Sequence, residues 1–284
     1  MEQGVRDTVV IVTGGARGIG RSLVLGLLAG GARVAVVDRL GEELSGVAEE
    51  AASIADRGSF EAIRADVSQE KEAKRIVERT VAVFGRLDAL VNNAGVGRHI
   101  VRGDFLKKPL KFWEVEPEHW RQFFNVNTNG FYFMTRAALG PLLAQRHGRI
   151  VTVTTNLATM IRGGSVGYGA SKAATEASMA TLARDLVGTG VTANVLIPGG
   201  PVDTPGMPDI GVDRAAYIQP EAMVPPLKWL LSEAAEGVNG RRFVAVKWDP
   251  SLAWEAASAA SGDPIGWPQL GMQTKLPEGV HLES

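Results

Sequence analysis

A tyrosine and a lysine four residues apart, Tyr168 and Lys172, are the pair in this chain whose types and spacing could do chemistry. They lie in a run rich in helix-forming residues, and positions i and i+4 share one face of an α-helix. A neighbouring ammonium favours the phenolate and lowers a tyrosine pKa from about 10 toward neutrality. A phenol tuned in this way can give a proton to a carbonyl or take one from an alcohol. An ordinary polar helix face is the alternative, and the pair alone does not exclude it.

A glycine-rich turn follows the first apolar run of the chain, residues 9–12, and opens a segment with helical periodicity. Gly14 permits a tight turn, while Gly18 and Gly20 let the backbone approach a pyrophosphate and let the helix pack on the strand. The free N–H groups at the start of that helix suit phosphate groups. The turn therefore predicts a dinucleotide site, with a purely structural glycine turn as the alternative.

An acidic residue, Asp38, ends the second apolar run at close to the ~20-residue spacing of the acid that binds a ribose 2′-hydroxyl. A carboxylate at that place repels a 2′-phosphate, so Asp38 favours NAD over NADP. Arg17 and Arg39 could each pair with a phosphate, which keeps NADP possible. A solvated acid at a strand end is the alternative for Asp38.

The composition of the 284-residue chain excludes several classes of function. The formal net charge of −1 gives no basic field for nucleic acid, and the absence of cysteine excludes disulfides and thiolate chemistry. The four histidines lack the spacing of a metal pair, so we expect no metal site. No apolar run approaches the ~18 residues that span a bilayer, and the N-terminus lacks a basic secretory region. We therefore expect a cytoplasmic protein without a membrane or nucleic-acid partner.

Short apolar runs alternate with amphipathic segments along the chain, which is typical of a parallel sheet covered on both faces. Right-handed crossovers then give a doubly wound α/β fold with a seven-stranded sheet. We expect one domain over residues 5–248 and an extension, 249–284, that packs on the body or on a neighbouring subunit. The predicted strands lie in residues 9–12, 33–37, 62–65, 87–91, 149–153, 192–196 and 242–246.

Helical periodicity places the covering helices between these strands. Ser68 is the predicted N-cap of the third helix. A long connection, residues 96–118, interrupts the pattern. The predicted helices span residues 20–29, 42–55, 68–84, 120–127, 131–143, 168–187 and 225–232.

Together these motifs resemble the short-chain dehydrogenase/reductases, in the shorter branch with the glycine motif TGxxxGxG. Residues 13–20 match that motif, and Tyr168 with Lys172 match the family pair YxxxK. The resemblance covers roughly residues 8–247, and its motifs fall in the family order. The other matches are Asp66-Val67 for the acidic pair beside adenine, Asn92-Asn93-Ala94-Gly95 for NNAG, Asn127 for the active-site asparagine, and residues 194–199 for the segment that faces nicotinamide.

The resemblance implies an NAD(P) site beside a proton-transfer group. It assigns Lys172 to the nicotinamide ribose and to lowering the pKa of Tyr168, which exchanges a proton with the substrate oxygen. Asn127 would anchor a water that leads to Lys172. The cofactor-binding residues expected from the turn and the resemblance are Gly14, Arg17, Gly18, Ile19, Gly20, Asp38, Arg39, Asp66, Val67, Asn93, Gly95, Tyr168, Lys172, Pro198, Gly199, Val202 and Thr204.

The chain departs from the family pattern at three places. Thr155 stands where the family has a catalytic serine; its hydroxyl can polarise a carbonyl, but its methyl group restricts its rotamer. An ordinary β-branched strand end is the alternative for Thr155. Residues 198–204 carry one residue more than the usual PGxVxT, and the connection over residues 96–118 is longer than the family norm.

We expect an NAD(P)-dependent oxidoreductase that transfers a hydride between nicotinamide and a secondary alcohol or ketone, with NAD favoured. Phe112 and Trp113 are candidates for an apolar wall, together with Trp248, Trp254 and Trp267 near the C-terminus. A core or subunit contact is the alternative for each of these aromatic residues and is the one we favour. Residues 204–220 resemble a lid. No cationic cluster in the sequence requires a charged substrate.

Two other functions remain open on the sequence. One is a non-catalytic dinucleotide-binding sensor or scaffold protein, since a fold does not fix a function. The other is a sugar-nucleotide epimerase or dehydratase, which the TGxxxGxG spacing disfavours. Family resemblance also implies a homo-oligomer, a tetramer or a dimer.

Overall fold

A computed structural model describes residues 4–268 of the chain. Its centre is one eight-stranded sheet with the order β3-β2-β1-β4-β5-β6-β7-β8. Neighbouring strands run parallel from β3 to β7, which confirms the doubly wound α/β fold. The strands are β1 (Val9–Thr13), β2 (Arg33–Asp38), β3 (Phe60–Arg64), β4 (Ala89–Asn92), β5 (Gly148–Val153), β6 (Val191–Ile197), β7 (Arg241–Val244) and β8 (Gly262–Pro264).

The strands read as continuous apolar runs because both faces of the sheet are buried. In β1, Val10 and Val12 pack into one layer, whereas Val9 and Ile11 pack into the other. Helices α1, α2, α8 and α9 cover the first face, and α3, α5 and α7 cover the second. The helices are α1 (Gly18–Ala29), α2 (Gly41–Ile54), α3 (Glu70–Phe84), α4 (Pro117–Phe124), α5 (Gly130–Ala144), α6 (Leu157–Ile161), α7 (Tyr168–Asp185), α8 (Val224–Leu231) and α9 (Trp254–Ser261).

The chain first builds the sheet outward from β1 to β3 and then returns to the other side of β1 to add β4 and the later strands. The switch point of the sheet therefore lies between β1 and β4. In open α/β sheets, ligands bind outside the carboxyl ends of the strands at such a switch point. The glycine turn after β1 and the asparagine motif after β4 therefore lie at one crevice.

Three local predictions are wrong. Over residues 4–268 the sheet has eight strands instead of seven, because Gly262–Pro264 adds to β7 in the antiparallel direction. Ser68 does not cap α3, which begins at Glu70 without a side-chain cap; instead the Ser68 N–H donates to Asp66 Oδ1 at 2.9 Å. The predicted break between two helices near residue 128 is a π-helical segment, Asn125–Asn129, that joins α4 directly to α5.

Residues 248–268, the last domain residue and the described part of the extension, lie against the body of the chain. Trp248 contacts Trp229 with ring centroids 5.2 Å apart, and Trp254 packs against the same apolar layer. These two tryptophans therefore cover the sheet rather than line a substrate wall. The domain boundary at residue 248 stays a prediction, and residues 269–284 lie outside the described residues.

No helix within residues 4–268 has the length and apolarity to cross a bilayer. The same residues contain no group of three or more histidine, aspartate or glutamate side chains placed to hold a metal ion.

Candidate active site

A cleft of about 630 Å³ opens at the carboxyl ends of the strands. It runs from the glycine turn and the end of β2 to the start of α7. With one exception, every residue predicted to bind cofactor or to act in catalysis lines it. These are Gly14, Arg17, Gly18, Ile19, Gly20, Asp38, Arg39, Asp66, Val67, Asn93, Gly95, Thr155, Tyr168, Lys172, Pro198, Gly199, Val202 and Thr204. The exception, Asn127, lies behind the cleft.

The glycine turn has the geometry that a close approach of backbone requires. Gly14 has φ +64° and Gly18 has φ +53°, values that side-chain-bearing residues rarely adopt. A Cβ at Gly20 would overlap the carbonyl oxygen of Gly14, so only glycine allows α1 to start this close to the turn. No side chain caps this end of α1, which leaves its first N–H groups facing the cleft.

The asparagine motif after β4 braces this turn from the far side. Asn93 Nδ2 donates to the carbonyl oxygens of Thr13 at 3.0 Å and Gly14 at 2.9 Å. Thr13 Oγ1 in turn accepts from the backbone N–H groups of Asn93 and Ala94, both at 3.1 Å. Asn93 thus positions the loop that lines the cleft, in addition to lining it.

The carboxylate of Asp38 is held by backbone donors on both sides. Oδ2 accepts from the Ala16 N–H and Oδ1 from the Leu40 N–H, each at 3.1 Å. These bonds fix the carboxylate at the rim of the cleft beside Arg17 and Arg39, whose side chains are exposed. The rim thus holds a carboxylate suited to a ribose 2′-hydroxyl beside two exposed guanidinium groups suited to a phosphate.

The segment after β6 closes the cleft over the glycine turn. Gly199 has φ +102°. Although residues 198–204 are one residue longer than the family pattern, both Pro201 and Val202 line the cleft. A Cβ at Gly18 would lie 3.1 Å from the Thr204 side chain, so Thr204 sits directly over the turn. The next residues, 205–207, continue the wall.

Lys172 and Tyr168 lie on one face of α7 at the other end of the cleft. Lys172 is 7% exposed, and its Nζ donates to the carbonyl oxygen of Val153 at 2.9 Å. Burial lowers the pKa of Lys172 to about 8. A lysine with this pKa can release and regain a proton near neutral pH.

The expected lowering of the Tyr168 pKa toward neutrality is wrong for this structure. Burial raises the pKa of the phenol above its usual value of 10, and this effect outweighs the groups that lower it. Those groups are the guanidinium of Arg98, a hydrogen bond with Thr155, and the guanidinium of Arg162. The cations that favour the phenolate are thus two arginines on neighbouring loops rather than Lys172.

Asn127 lies in the π-helical segment, where its side chain ties two elements together. Oδ1 accepts from the Val96 N–H at 2.8 Å, and Nδ2 donates to Ser171 Oγ at 2.9 Å. A cavity of about 10 Å³ is lined by Asn127 and Lys172, together with Asn92 and Thr175. This is about the volume that one water molecule needs, so the space among these residues fits a single water.

The two consecutive threonines after β5 point to different places. Thr154 is buried, and its Oγ1 donates to Glu176 Oε2 at 2.9 Å. Glu176 also pairs with Arg242, whose Nη2 donates to the carbonyl oxygen of Thr155 at 3.1 Å. Thr155 itself faces the cleft beside Tyr168. Because Glu176 engages the Thr154 hydroxyl, Thr155 is the available hydroxyl of the two, and the buried network holds its backbone.

The predicted aromatic wall is wrong in its members. Phe112 and Trp113 are 75% and 82% exposed and do not line the cleft. Phe105, which the sequence does not single out, lines the cleft instead. Arg98 and Arg162 also line the cleft. Neither arginine is identified from the sequence, because neither belongs to a local motif.

The family model for short chain dehydrogenase matches residues 8–214. The chain belongs to the short-chain dehydrogenase family. A 3-oxoacyl-[acyl-carrier-protein] reductase from Synechocystis is 31% identical over 243 residues, which cover 83% of this chain and 94% of the relative. These matches confirm the family resemblance seen in the sequence, and they show that the protein is an oxidoreductase of this family.

Solved structures agree with the fold and the family. One from Shigella flexneri, described as a short chain dehydrogenase complexed with NADP, has a TM-score of 0.77 and 25% identity, covering 87% of this chain and 100% of that one. A 3-ketoacyl-(acyl-carrier-protein) reductase from Brucella melitensis complexed with NADH has a TM-score of 0.72 and 26% identity, covering 83% and 95%. Both nicotinamide cofactors thus occur among the structural relatives.

Proposed function

We propose that this dehydrogenase transfers a hydride between a nicotinamide dinucleotide and a secondary alcohol or ketone, with Tyr168 as the general acid and base. The convergence of Tyr168, Lys172 and Thr155 at one end of a dinucleotide-sized cleft carries the proposal. A hydroxyl, a phenol and an ammonium at one place are the groups that a carbonyl oxygen needs for polarisation and protonation.

The other end of the cleft fits the dinucleotide. The positive-φ glycines admit a pyrophosphate against the backbone, and the open end of α1 offers N–H groups to it. Asp38 presents a carboxylate that suits the two ribose hydroxyls of NAD, which we favour as the cofactor, whereas Arg17 and Arg39 would serve the additional phosphate of NADP. When bound, the nicotinamide supplies or accepts the hydride.

Side chains of the protein carry out the proton transfer that accompanies hydride transfer. Thr155 donates a hydrogen bond to the substrate oxygen, and Tyr168 gives that oxygen a proton during reduction or takes one during oxidation. Lys172, whose pKa burial lowers to about 8, would hold the nicotinamide ribose and can exchange a proton near neutral pH. The single-water space beside Asn127 then connects Lys172 to the interior hydrogen bonds. We further propose a homo-oligomer, tetramer or dimer, in the cytoplasm.

The test is a spectrophotometric assay of NADH and NADPH oxidation with a panel of ketones, including a 3-oxoacyl thioester because that is the named substrate class of a relative. Turnover with at least one ketone, lost in Tyr168→Phe, supports the proposal. Cofactor binding without turnover of any ketone or alcohol would instead support a non-catalytic sensor or scaffold protein, and turnover of a nucleotide sugar would support an epimerase or dehydratase.

A further inference from the structure

Two arginines from separate loops meet at the reactive end of the cleft. Arg98 begins a short 3₁₀ turn, Arg98–Ile100, in the long connection after β4, and Arg162 directly follows α6. Both line the cleft together with Tyr168. Both are close enough for their positive charge to act on the Tyr168 phenol. A substrate whose oxygen contacts Tyr168 would therefore lie beside two guanidinium groups.

Arg98 is held in this position rather than free in solvent. Its guanidinium carbon lies 4.4 Å from the ring centroid of Phe105, and Nη1 makes a long contact of 3.5 Å with the carbonyl oxygen of Gly164. The loop that carries Gly164 is itself bridged to Leu110 in the same long connection. Stacking on a ring leaves the edge of a guanidinium free to donate in its own plane.

Among the described residues, 4–268, no acidic side chain neutralises this pair. Within residues 4–268, neither Arg98 nor Arg162 takes part in an ion pair. The acids on the cleft wall, Asp38 and Asp66, both lie at the dinucleotide end. In contrast, Arg102, four residues along the same connection, pairs with Glu114 at 3.3 Å.

Holding the two arginines together without a counter-ion is unfavourable. Burial and the charge of Arg162 both lower the pKa of Arg98. A half-buried cation without a partner costs free energy, since water no longer solvates it fully. Such a cost is removed when an anion binds, because a carboxylate or phosphate matches the planar donors of arginine.

We propose that Arg98 and Arg162 bind an anionic oxyacid group of the substrate, a carboxylate or a phosphate ester, while its carbonyl or carbinol carbon lies at Tyr168. The substrate class is then a keto acid or hydroxy acid, or a phosphorylated ketone or alcohol. This inference rests on the proposed function, and it gives the long connection over residues 96–118 a role in specificity.

A binding measurement tests the arginine site without turnover. Acetoacetate, levulinate, dihydroxyacetone phosphate and inorganic phosphate are titrated by calorimetry into the protein saturated with NAD⁺ or NADP⁺, because the oxidised cofactor carries no hydride and cannot reduce a ketone. Each ketone is paired with an uncharged analogue: methyl acetoacetate, methyl levulinate or dihydroxyacetone. We expect at least one anion to bind wild type, and Arg98→Gln or Arg162→Gln to weaken it by about 10- to 100-fold, the scale of a lost hydrogen bond between charged groups.

Arg102→Gln is the matched control and should leave anion binding unchanged. The carboxylate and phosphate arms decide which oxyacid the arginines hold. Failure of all the anions to bind, or equal binding of neutral analogues, would overturn the proposal. So would a loss of cofactor affinity in Arg98→Gln as large as the loss of anion affinity, since the arginines would then serve the cofactor.

The kinetic arm separates this inference from the proposed function. For a ketone that is turned over, Arg98→Gln should lower kcat/KM for the charged member of a pair about 10- to 100-fold more than for its uncharged analogue, since any effect through Tyr168 is common to both. Turnover of neutral ketones only, insensitive to Arg98, refutes the anion site and leaves the oxidoreductase intact. Anion binding that depends on the two arginines, with no turnover of any ketone or alcohol, would support the anion site and contradict the proposed oxidoreductase function.

Discussion

Replacement of Arg242 by methionine should destabilise the protein strongly, because it leaves a buried carboxylate without its counter-ion. Glu176 is fully buried, and Arg242 Nε lies 2.8 Å from its Oε1 with a side chain that is 12% exposed. Thr154 supplies one hydrogen bond to Glu176 but no charge. Breaking a buried pair by removing one partner costs about 3–5 kcal/mol, and we expect Arg242→Met to fall in that range.

The free energy of unfolding of each variant follows from urea titration with a common slope. The double variant Glu176→Gln with Arg242→Met removes the orphaned charge, so it should be more stable than Arg242→Met alone. The surface pair of Arg79 and Glu61 is the matched control: its contact is 2.7 Å, but Arg79 is 55% exposed. Arg79→Met should cost at most about 1 kcal/mol.

This network also holds the backbone of Thr155, since Arg242 donates to its carbonyl oxygen. Arg242→Met should therefore lower kcat more than it lowers cofactor affinity. The reasoning is refuted if Arg242→Met costs no more than Arg79→Met, or if the double variant is no more stable than the single one.

Three further predictions concern the turn and the reactive end of the cleft. Gly20→Ala should abolish dinucleotide binding in a fluorescence titration, because its Cβ overlaps the Gly14 carbonyl; Gly46→Ala, with open space around it in α2, should bind normally and gain up to about 1 kcal/mol in thermal unfolding. Burial lowers the pKa of Lys172 to about 8, below its unfolded value, so the folded cofactor-free protein binds fewer protons between about pH 8 and 10.4. Its free energy of unfolding should rise with pH across that window, and Lys172→Met should remove the rise. Thr155→Ser should retain activity, whereas Thr155→Val should lower kcat about 100-fold, since it removes the donor to the developing oxyanion; equal rates for Ser and Val would assign Thr155 to structure alone.

The sequence predicts the central architecture because the strands are buried on both faces. A residue such as Val10 or Ile11 is apolar whichever layer it faces, so seven runs stand out from their polar turns. The eighth strand, Gly262–Pro264, has no apolar pattern of its own. It forms because its backbone pairs with β7, and that pairing is a tertiary contact that no local window contains.

The candidate site is predictable where a motif is local. Gly14, Gly18 and Gly20 lie in one turn, and Tyr168 and Lys172 lie on one face of one helix. Their spacing in the sequence is therefore enough to predict that they act together. The Arg98 and Arg162 pair is different, because the two residues come from distant loops that only the folded sheet brings together.

The same limit explains the error about the Tyr168 pKa. Helical spacing places an ammonium near the phenol, but it does not reveal how deeply both groups are buried. In the structure, burial raises the pKa of Tyr168, and Lys172 directs its Nζ to the Val153 carbonyl. Desolvation depends on every element packed around the site, and it therefore has no signature in the spacing of two residues.

The most direct measurement compares wild type with Tyr168→Phe, following both steady-state turnover of a ketone and the dissociation constant of the cofactor. Phenylalanine keeps the ring that packs edge-on against Phe123 at 6.4 Å and removes only the hydroxyl. The account predicts a fall in kcat of about 10²–10⁴-fold or more with cofactor affinity largely unchanged. Turnover that persists at the wild-type rate in Tyr168→Phe would contradict it.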